Sequence, residues 1–183
     1  MAEIEAMRPG RALDLACGAG RNAVWLAEHG WLVTAVDFSE VALAQARERA
    51  RRRGVDVEWV AADLREYAPP EGAFDLVLVL YLHLPAGERR PVLSHAAAAV
   101  APSGTLLLVG HDLANLGTGA RGPSDPALLY TTEDIAAELP GLVVEKAERV
   151  TRTVETDEGA VEAVDALVRA SAIPPTAPPR PHR

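Results

Sequence analysis

Short apolar runs alternate with longer mixed stretches over most of the chain. Strand-like runs that alternate with helical patterns are typical of βαβ units, and they predict an α/β fold with a mainly parallel sheet. The clearest run is Phe74-Asp-Leu-Val-Leu-Val-Leu80, which has the apolar character of a strand buried on both faces. The predicted parallel strands cover residues 11–16, 31–36, 55–61, 74–80 and 105–109.

Helical patterns fill the intervals between these strands. Ser39 is predicted to cap the second helix, and the turn Pro102-Ser-Gly104 is predicted to close the third. Helices that connect parallel strands cover both faces of the sheet, so the pattern indicates a doubly wound domain. The predicted helices cover residues 21–29, 39–53, 88–101 and 132–139.

The end of the chain has a different pattern. Two long strand-like segments, residues 142–155 and 160–170, flank Asp157-Glu-Gly159, whose composition is typical of a hairpin turn. The last two strands are therefore predicted to be antiparallel. Residues 173–183 are rich in proline and lack apolar periodicity, so this tail is predicted to be extended or disordered. Residues 1–172 are predicted to form a single domain.

Composition and charge disfavour several classes of protein. The 183 residues include one cysteine, Cys17, so no internal disulfide can form. The net charge of −8 disfavours binding to a nucleic-acid backbone. No apolar run approaches the ~20 residues that span a bilayer, and the N-terminus lacks the pattern of a secretory signal. We therefore expect a cytoplasmic protein with no membrane and no nucleic-acid partner.

Candidate chemistry begins at Asp14-Leu-Ala-Cys-Gly18-Ala-Gly20, which joins the first strand to the first helix. Glycines let a backbone approach a ligand closely, and a helix N-terminus offers free N–H groups. Asp37 ends the second strand, where a carboxylate can accept hydrogen bonds from the ribose hydroxyls of an adenosine. The spacing Gly18-x-Gly20-x-x-Ala23 also fits the dinucleotide fingerprint, so the glycines alone leave NAD or NADP open.

Three further features favour a ligand other than a dinucleotide. Asp14 lies inside the first strand, where a carboxylate suits a ligand with ammonium and sulfonium groups better than one with an anionic pyrophosphate. Asp63 and Leu64 follow the third strand, where the carboxylate can accept from an adenine amino group and a backbone N–H can donate to the ring. The C-terminal hairpin replaces the further parallel units of a full dinucleotide domain.

With these residues in place, the chain resembles the class I S-adenosylmethionine (SAM)-dependent methyltransferases from about Arg11 to Ala170. The resemblance implies a Rossmann-like sheet of order 3-2-1-4-5-7-6, with strand 7 antiparallel. Within that family, Gly20-Arg-Asn-Ala23 together with Asp37 is most similar to the small tellurite-resistance and thiopurine-type enzymes. The motifs that carry the resemblance are Asp14-Leu-Ala-Cys-Gly-Ala-Gly20, Asp37-Phe-Ser39, Ala62-Asp-Leu64, Phe74-Asp75 and Ala101-Pro-Ser-Gly104.

The resemblance also implies cofactor roles for individual residues. Asp14 and the glycine loop would hold the methionine part of SAM, and Asp37 would hold the ribose. Leu80 and Tyr81, at the end of the fourth strand, would lie beside the transferred methyl group, and the product would be S-adenosylhomocysteine. The implied cofactor-binding residues are Asp14, Ala16, Cys17, Gly18, Gly20, Asn22, Asp37, Phe38, Ser39, Asp63, Leu64, Leu80 and Tyr81.

No single catalytic residue stands out in the sequence. Methyl transfer from a sulfonium is an in-line displacement with a good leaving group, so a base is needed only when the acceptor arrives protonated. Tyr81, His83 and His111 are the candidates for that role. Tyr81-Leu-His-Leu-Pro85 replaces the Asn/Asp-Pro-Pro-aromatic motif of adenine and amide methylation, and the only thiol lies in the cofactor loop. A small molecule is therefore the expected acceptor.

The loop between Asp112 and Tyr130 is the predicted wall of the acceptor site. It is long, rich in glycine and proline, and follows the fifth strand at the carboxyl edge of the sheet, where such folds bind ligands. No histidine or cysteine pattern has the spacing of a metal site, so no metal is expected. The candidate substrate-binding residues of this loop are Asp112, Asn115, Arg121 and Tyr130.

Two alternative functions stay open. An NAD(P)-dependent oxidoreductase would explain the glycine fingerprint. Ten residues precede Arg11, whereas relatives usually carry N-terminal helices that cover the active site. This reduced or absent lid motivates the second alternative, a SAM-binding module that does not catalyse methyl transfer. Either a monomer or a homodimer is compatible with the sequence.

Overall fold

The computed structural model describes residues 3–116, 122–156 and 159–173, and these form one mixed sheet with helices on both faces. Its strands are β1 (Arg11–Leu15), β2 (Leu32–Asp37), β3 (Glu58–Ala61), β4 (Phe74–Leu80), β5 (Val100–His111), β6 (Leu142–Thr156) and β7 (Gly159–Ala172). The α-helices are α1 (Arg21–Glu28), α2 (Glu40–Arg53), α3 (Ala86–Ala98) and α4 (Thr132–Ala137). Two short 3₁₀ helices cover Leu113–Asn115 and Pro126–Leu128.

The strand order is β3-β2-β1-β4-β5-β7-β6, which confirms the predicted topology. Neighbouring strands from β1 to β5 pair in parallel, whereas β7 is antiparallel to both β5 and β6. The antiparallel pairing of β6 with β7 continues to Thr156 and Gly159, so the predicted hairpin is also confirmed. Because β1, β2, β4 and β5 are parallel, their carboxyl ends meet at one edge of the sheet.

Alternating side chains of the central strands build two cores, one on each face. In β4, Val77 and Val79 point into the core beneath α3 and α4, whereas Leu76 and Leu78 point into the core beneath α1 and α2. Each buried aliphatic side chain of this kind stabilises the fold by roughly 1.5–3 kcal/mol. The two cores hold the ends of the central strands in fixed positions, and the candidate site is built on those ends.

The predicted bounds of the third helix, the fifth strand and the third strand are wrong, for local reasons. The third helix spans Ala86–Ala98 rather than residues 88–101, and β5 begins at Val100 and runs through the predicted turn. Ser103 adopts a positive φ of 64° there, and the pairing of β4 with β5 shifts register. β3 begins at Glu58 rather than residue 55, because the amide of Val55 still bonds to α2 beyond the left-handed cap at Gly54.

An ion pair between α3 and the end of α4 is almost wholly enclosed. Arg89 donates from Nε to Oε2 of Glu138 at 2.8 Å and from Nη2 to Oε1 at 2.9 Å. The exposed fractions of the two side chains are 5% and 7%. The guanidinium also lies 4.8 Å from the ring centre of Tyr130. This bidentate pair fixes α4, and with it the start of the hairpin, against the rest of the fold.

The N-terminal segment packs against the hairpin. Residues 3–7 form a turn in which Ile4 is buried, and Glu3 accepts a hydrogen bond from Lys146 Nζ at 2.7 Å. The predicted tail lies outside the described residues from residue 174 onward, and so does Arg121. Within the described ranges, no helix combines the length and apolarity needed to cross a bilayer.

Candidate cofactor and acceptor site

The loop between β1 and α1 makes a tight turn, and no other protein atom lies close to its Gly18 on the side where a Cβ would point. Ala16, Gly18 and Gly20 have positive φ angles of 60°, 54° and 72°. A Cβ built on Gly18 would meet no atom within 4 Å, so the loop leaves room for a ligand at this position. A Cβ on Gly20 would lie 2.6 Å from Trp59 and 2.7 Å from Ala46. Gly18 therefore faces open space, whereas Gly20 is needed for packing against α2 and β3.

Backbone strain marks both sides of this region. Among the described residues, Ala16 and Tyr81 are two of three non-glycine residues with positive φ. Ala16 follows β1, and Tyr81 follows β4 with a φ of 56°. Such conformations cost of the order of 1–3 kcal/mol and occur disproportionately at functional sites. One strained residue therefore lies in the cofactor loop, and the other lies at the predicted methyl position.

Asp14 is a buried carboxylate without a hydrogen-bond partner. Its exposed fraction is 1%, and neither oxygen has a partner with hydrogen-bond geometry in the described part of the chain, since the nearby Ala23 amide falls outside that geometry. Burial raises the pKa of Asp14 to about 7, and the nearby Asp37 carboxylate raises it further, while the Ala23 amide and Arg21 act in the opposite direction. A buried, unpaired carboxylate is unfavourable, and a ligand ammonium would relieve it. The residue therefore fits the cationic methionine end of SAM.

The Asp37 carboxylate ties the glycine loop to the start of α2. Its Oδ2 accepts from the Gly18 N–H at 2.8 Å, and its Oδ1 accepts from the Ser39 N–H at 2.9 Å. Ser39 in turn accepts from the Ala42 N–H and caps α2, as predicted. Each carboxylate oxygen can accept a second hydrogen bond. Asp37 therefore retains acceptor positions that suit the two ribose hydroxyls.

The residues predicted to contact adenine differ in their exposure and in the contacts that they already make. Phe38 is 79% exposed beside Asp37, so its ring is open to a flat partner. Leu64 packs into the core beneath α3, which leaves its backbone for a ligand. The Asp63 carboxylate is engaged by Arg65 at 2.5 Å between Nη2 and Oδ2, and this guanidinium lowers the pKa of Asp63 to about 2. Asp63 would have to share its carboxylate between Arg65 and an adenine.

Cys17 lies in the loop with its thiol turned inward. The residue is 7% exposed, and its amide donates to the Val36 carbonyl at 3.0 Å, which joins the loop to β2. Burial raises the pKa of the Cys17 thiol, and the carboxylates of Asp14 and Asp37 raise it further. Because the thiolate is the nucleophilic form, this thiol is unsuited to covalent catalysis.

A cluster of polar side chains lies on the other side of Tyr81, around Asp165 of β7. Asp165 Oδ2 accepts from the Tyr81 hydroxyl and from Arg152 Nε, both at 2.7 Å. Its Oδ1 lies 3.2 Å from Nδ1 of His111. Asp165 is 2% exposed. We name Tyr81, His111, Arg152 and Asp165 the polar cluster.

His83 joins the loop after β4 to the loop after β5. Its ring stacks on that of His111, with ring centres 5.1 Å apart and planes 6° from parallel. Its Nδ1 lies 3.2 Å from the carbonyl oxygen of Leu128, which makes Nδ1 the donor. The contact holds His83 in a structural position, while its role as a base stays a prediction.

The described residues of the predicted acceptor wall are bonded mainly within the protein. Asp112 is fully buried, accepts from the Ala114 N–H at 2.8 Å and pairs with Arg149 at 3.1 Å. Asn115 bonds to both the N–H and the carbonyl of Val164. Tyr130 is 2% exposed and packs beneath Arg89. These contacts hold the loop against the terminal hairpin. Substrate binding by the three residues stays a prediction.

Two cavities meet at Tyr81 and Arg21. The first, which we name the sheet groove, has a volume of about 910 Å³ and an apolar floor that includes Leu80, Val109 and Leu167, and the predicted cofactor residue Asn22 also lines it. The second, which we name the polar cleft, has a volume of about 400 Å³. Its lining residues are Arg21, Tyr81, His111 and Arg152.

Sequence reasoning missed Arg21, Arg152 and Asp165. Asp165 carried a usable signal, because it is a lone charge in the apolar run Ala163-Val-Asp-Ala-Leu-Val168. Arg152 lies among alternating polar residues of β6 and carried none. Among the described residues, no group of three or more His, Cys, Asp or Glu side chains could hold a metal ion.

Comparison with known proteins agrees with this geometry. A family model described as a methyltransferase domain matches residues 12–104, just over half of the chain. The chain belongs to the methyltransferase domain family. The sheet order and the site above make it a class I SAM-dependent methyltransferase domain. Every residue implied to bind SAM lies inside the matched region.

The names of individual relatives cover several functions. The chain is 33% identical over 112 residues to a ribosomal RNA small subunit methyltransferase C from Alcanivorax borkumensis, covering 57% of this chain and 33% of that protein. It is 35% identical over 103 residues to a demethylmenaquinone methyltransferase from Thermus thermophilus, covering 55% and 47%. The chain thus spans between a third and a half of the length of these curated relatives.

The fold is shared with solved structures at low sequence identity. A SAM-dependent methyltransferase from Methanosarcina mazei superimposes with a TM-score of 0.68 at 18% identity, covering 90% of this chain and 92% of that one. At this identity the likeness shows the fold alone. The closer similarity to tellurite-resistance and thiopurine-type enzymes stays a prediction.

Proposed function

We propose that this methyltransferase domain transfers the methyl group of SAM to a small-molecule acceptor. The observation that carries the proposal is Asp14, a carboxylate that is 1% exposed and has no hydrogen-bond partner in the described residues. It lies beneath a loop in which Gly18 faces open space. A cationic ligand in that space would pair the carboxylate and remove the free-energy cost of burying it alone.

The proposed cofactor contacts follow from the groups that remain available. Asp14 would pair with the ammonium of the methionine part, and the Asp37 carboxylate would accept from the ribose hydroxyls. The exposed Phe38 ring would cover one face of the adenine. When bound, SAM supplies a methyl group on a sulfonium centre, and the protein aligns the acceptor and excludes water.

The size and charge of the site support a small acceptor. The polar cleft, at about 400 Å³, is within the range of small-molecule pockets. A chain with a net charge of −8 is poorly suited to a nucleic-acid backbone. Absence of a nucleic-acid partner, a cytoplasmic location and the oligomeric state remain predictions.

The dinucleotide alternative is disfavoured by charge. A pyrophosphate placed over the Gly18 loop would lie near two carboxylates, Asp14 and Asp37, one of which has no partner to neutralise it. The SAM-binding module without catalysis differs from our proposal only in turnover. A binding experiment therefore distinguishes our proposal from the oxidoreductase. An activity experiment distinguishes it from the SAM-binding module.

Calorimetric titration with SAM, S-adenosylhomocysteine and NAD tests the cofactor. We expect the first two to bind and NAD not to bind. In Asp14→Asn, SAM affinity should fall at least tenfold, since a hydrogen bond to a charged group is worth about 1.5–3 kcal/mol. The matched control is Asp56→Asn, because Asp56 is exposed between α2 and β3. Binding of NAD alone would overturn the proposal.

Incubation of the loaded protein with methyl-labelled SAM and a fractionated pool of small metabolites tests the acceptor. Label is expected in a low-molecular-weight product, together with release of S-adenosylhomocysteine. SAM binding without any labelled product would favour the non-catalytic SAM-binding module. Label found only in RNA or protein would show that the acceptor is a macromolecule and not a small molecule.

A further inference from the structure

Asp165 and His111 face each other across the sheet. In the antiparallel pairing of β5 with β7, the two residues are direct cross-strand partners. Oδ2 of Asp165 is saturated by Tyr81 and Arg152, which leaves Oδ1 turned toward His111 Nδ1 at 3.2 Å. The angles of this contact fall outside those of a hydrogen bond, yet neither atom has another partner in the described chain. Within the part of the chain that the structure describes, each is therefore the nearest candidate partner of the other.

This arrangement selects one tautomer of the imidazole. A carboxylate can only accept, so the proton of a neutral His111 lies on Nδ1 and the lone pair lies on Nε2. Burial lowers the pKa of His111, and the nearby Arg152 lowers it as well, while Asp165 opposes both. The ring is consequently neutral at pH 7. His111 is 9% exposed, and a Cβ on Gly122 would come within 3.1 Å of Nε2, so a glycine at that position keeps a side chain of residue 122 away from this nitrogen.

The ring also lies where an acceptor would approach the methyl group. His111 lines the polar cleft together with Tyr81 and Arg21. Tyr81 follows β4, at the predicted methyl position, and its ring centre is 5.0 Å from that of His111. Arg21 immediately follows the glycine loop. The cleft therefore connects Tyr81, at the predicted methyl position, with the His111 side chain.

We propose that His111, oriented by Asp165, is the general base of the reaction, and that the acceptor presents a hydroxyl, thiol or N–H as its nucleophile. This inference rests on the proposed function. The acceptor atom bonds to the methyl carbon as its proton passes to His111 Nε2. The C–S bond breaks, and its electron pair stays on the sulfur of the departing S-adenosylhomocysteine. The imidazolium is stabilised by Asp165 and returns its proton to solvent after product release.

The described elements packed around His111 place several titratable or charged groups beside its ring. Asp165 comes from β7 and Arg152 from β6, while Tyr81 and the stacked His83 follow β4. Arg21 of α1 completes the cleft. Arg152 lowers the pKa of His111 and so favours the neutral ring, and the two guanidinium groups together suit an acceptor with a negative charge. Asp165 is a positioning residue in this scheme, because it acts through His111 and not on the acceptor.

Nitrogen NMR of the histidine side chains tests the geometry without any turnover. The wild-type His111 is expected as the Nδ1–H tautomer, with a pKa below the usual 6.5 of histidine. In Asp165→Asn the preference of His111 for the Nδ1–H tautomer should be lost, and the Nε2–H form should gain population. A wild-type ring protonated on Nε2, or no tautomer change in the variant, would overturn the proposal.

Kinetics with acceptors of graded acidity test the chemistry. The probes are substituted phenols, aromatic thiols and azoles, and the variants are His111→Gln and Asp165→Asn. His95→Gln is the matched control, because His95 is exposed on α3. With a weakly acidic phenol, whose pKa is about 10, His111→Gln should lose about 10²–10⁴-fold in kcat/KM. With a nitrophenol assayed in its ionised form, the loss should fall below about tenfold, since no proton remains to be removed.

The controls separate this inference from the proposed function. SAM affinity by calorimetry should be unchanged in His111→Gln, and absence of SAM binding by the wild type would refute the cofactor assignment alone. An equal loss with all acceptors, whatever their acidity, would assign His111 a structural role. A wild-type protein that binds SAM but methylates none of the protic probes would also overturn the proposal.

Discussion

The carboxylate of Asp37 accepts a hydrogen bond from the backbone N–H of Gly18, with 2.8 Å between Oδ2 and the nitrogen. The residue that would hold the ribose therefore also shapes the loop that would hold the methionine part. Its second oxygen accepts from Ser39 at the start of α2. One side chain thus couples β2, the glycine loop and a helix N-terminus.

This coupling makes the effect of Asp37 on the cofactor larger than one lost contact. Asp37→Ala should weaken SAM binding at least tenfold while the fold survives, because a charged hydrogen bond is worth about 1.5–3 kcal/mol. Asp37→Asn keeps one acceptor oxygen and should lose less affinity than the alanine variant. Calorimetry with circular dichroism as the folding control checks both, and an unchanged SAM affinity in Asp37→Ala would remove Asp37 from the site.

Asp14 should make the stability of the cofactor-free protein depend on pH. Its pKa in the folded state is about 7, above the 3.8 of an exposed aspartate, so the folded protein binds this proton more tightly than the unfolded chain. The contribution of Asp14 to stability is therefore present below about pH 4 and is lost as the pH rises to about 7. Asp14→Asn removes the dependence.

Urea unfolding of both proteins at about pH 5 and about pH 8 measures this difference. Without cofactor, Asp14→Asn should gain stability relative to the wild type as the pH rises. With saturating SAM the order should reverse, because only the carboxylate pairs with the ligand cation. A stability difference that does not change with pH would show that the Asp14 carboxylate is solvated.

The two loop glycines should respond differently to the same substitution. Gly20→Ala places a Cβ 2.6 Å from Trp59, so it should destabilise the protein by about 1–3 kcal/mol, as overpacked cores do. Gly18→Ala meets no protein atom and should cost only the roughly 1 kcal/mol of a left-handed alanine. Its main effect should be a loss of SAM affinity. Thermal unfolding and calorimetry on the pair distinguish packing from ligand contact.

The enclosed pair between Arg89 and Glu138 should be a major determinant of stability. Arg89→Ala removes both enclosed hydrogen bonds of the Glu138 carboxylate and leaves it only the exposed Arg90 as a described ion-pair partner, so it should cost up to about 3–5 kcal/mol. Arg90 contacts the same carboxylate at 3.2 Å but is 69% exposed, so Arg90→Ala should cost at most about 1 kcal/mol. Chemical denaturation measures both, and equal effects of the two substitutions would contradict the role of burial.

The cofactor half of the site could be predicted from sequence because its signals are local. Asp14, Gly18 and Asp37 stand at the ends of strands that hydrophobic periodicity defines, and parallel strands bring those ends together. The fold could be predicted for the same reason. The helix boundary near residue 101 could not, because pairing of Val100 with Phe74 overrode the helical pattern.

The acceptor half depends on contacts that are remote in sequence. His111 and Asp165 become partners only through the register of an antiparallel pair, and a shift of one residue would have separated them. Asp112 and Tyr130 are predicted from sequence to bind the substrate, yet both are buried, and they contact Arg149 and Arg89. No pattern in the sequence specifies those partners.

The cofactor half and the acceptor half of the site come from separate segments of the chain. Residues 12–104, which match the family model, contain all the residues proposed to hold SAM, whereas His111, Arg152 and Asp165 follow them. A change of acceptor could therefore arise within the last strands while the methyl donor stays the same. The segment after residue 104 then determines the acceptor on a constant donor-binding half, and an exchange of this whole segment between relatives should transfer acceptor preference without altering SAM affinity.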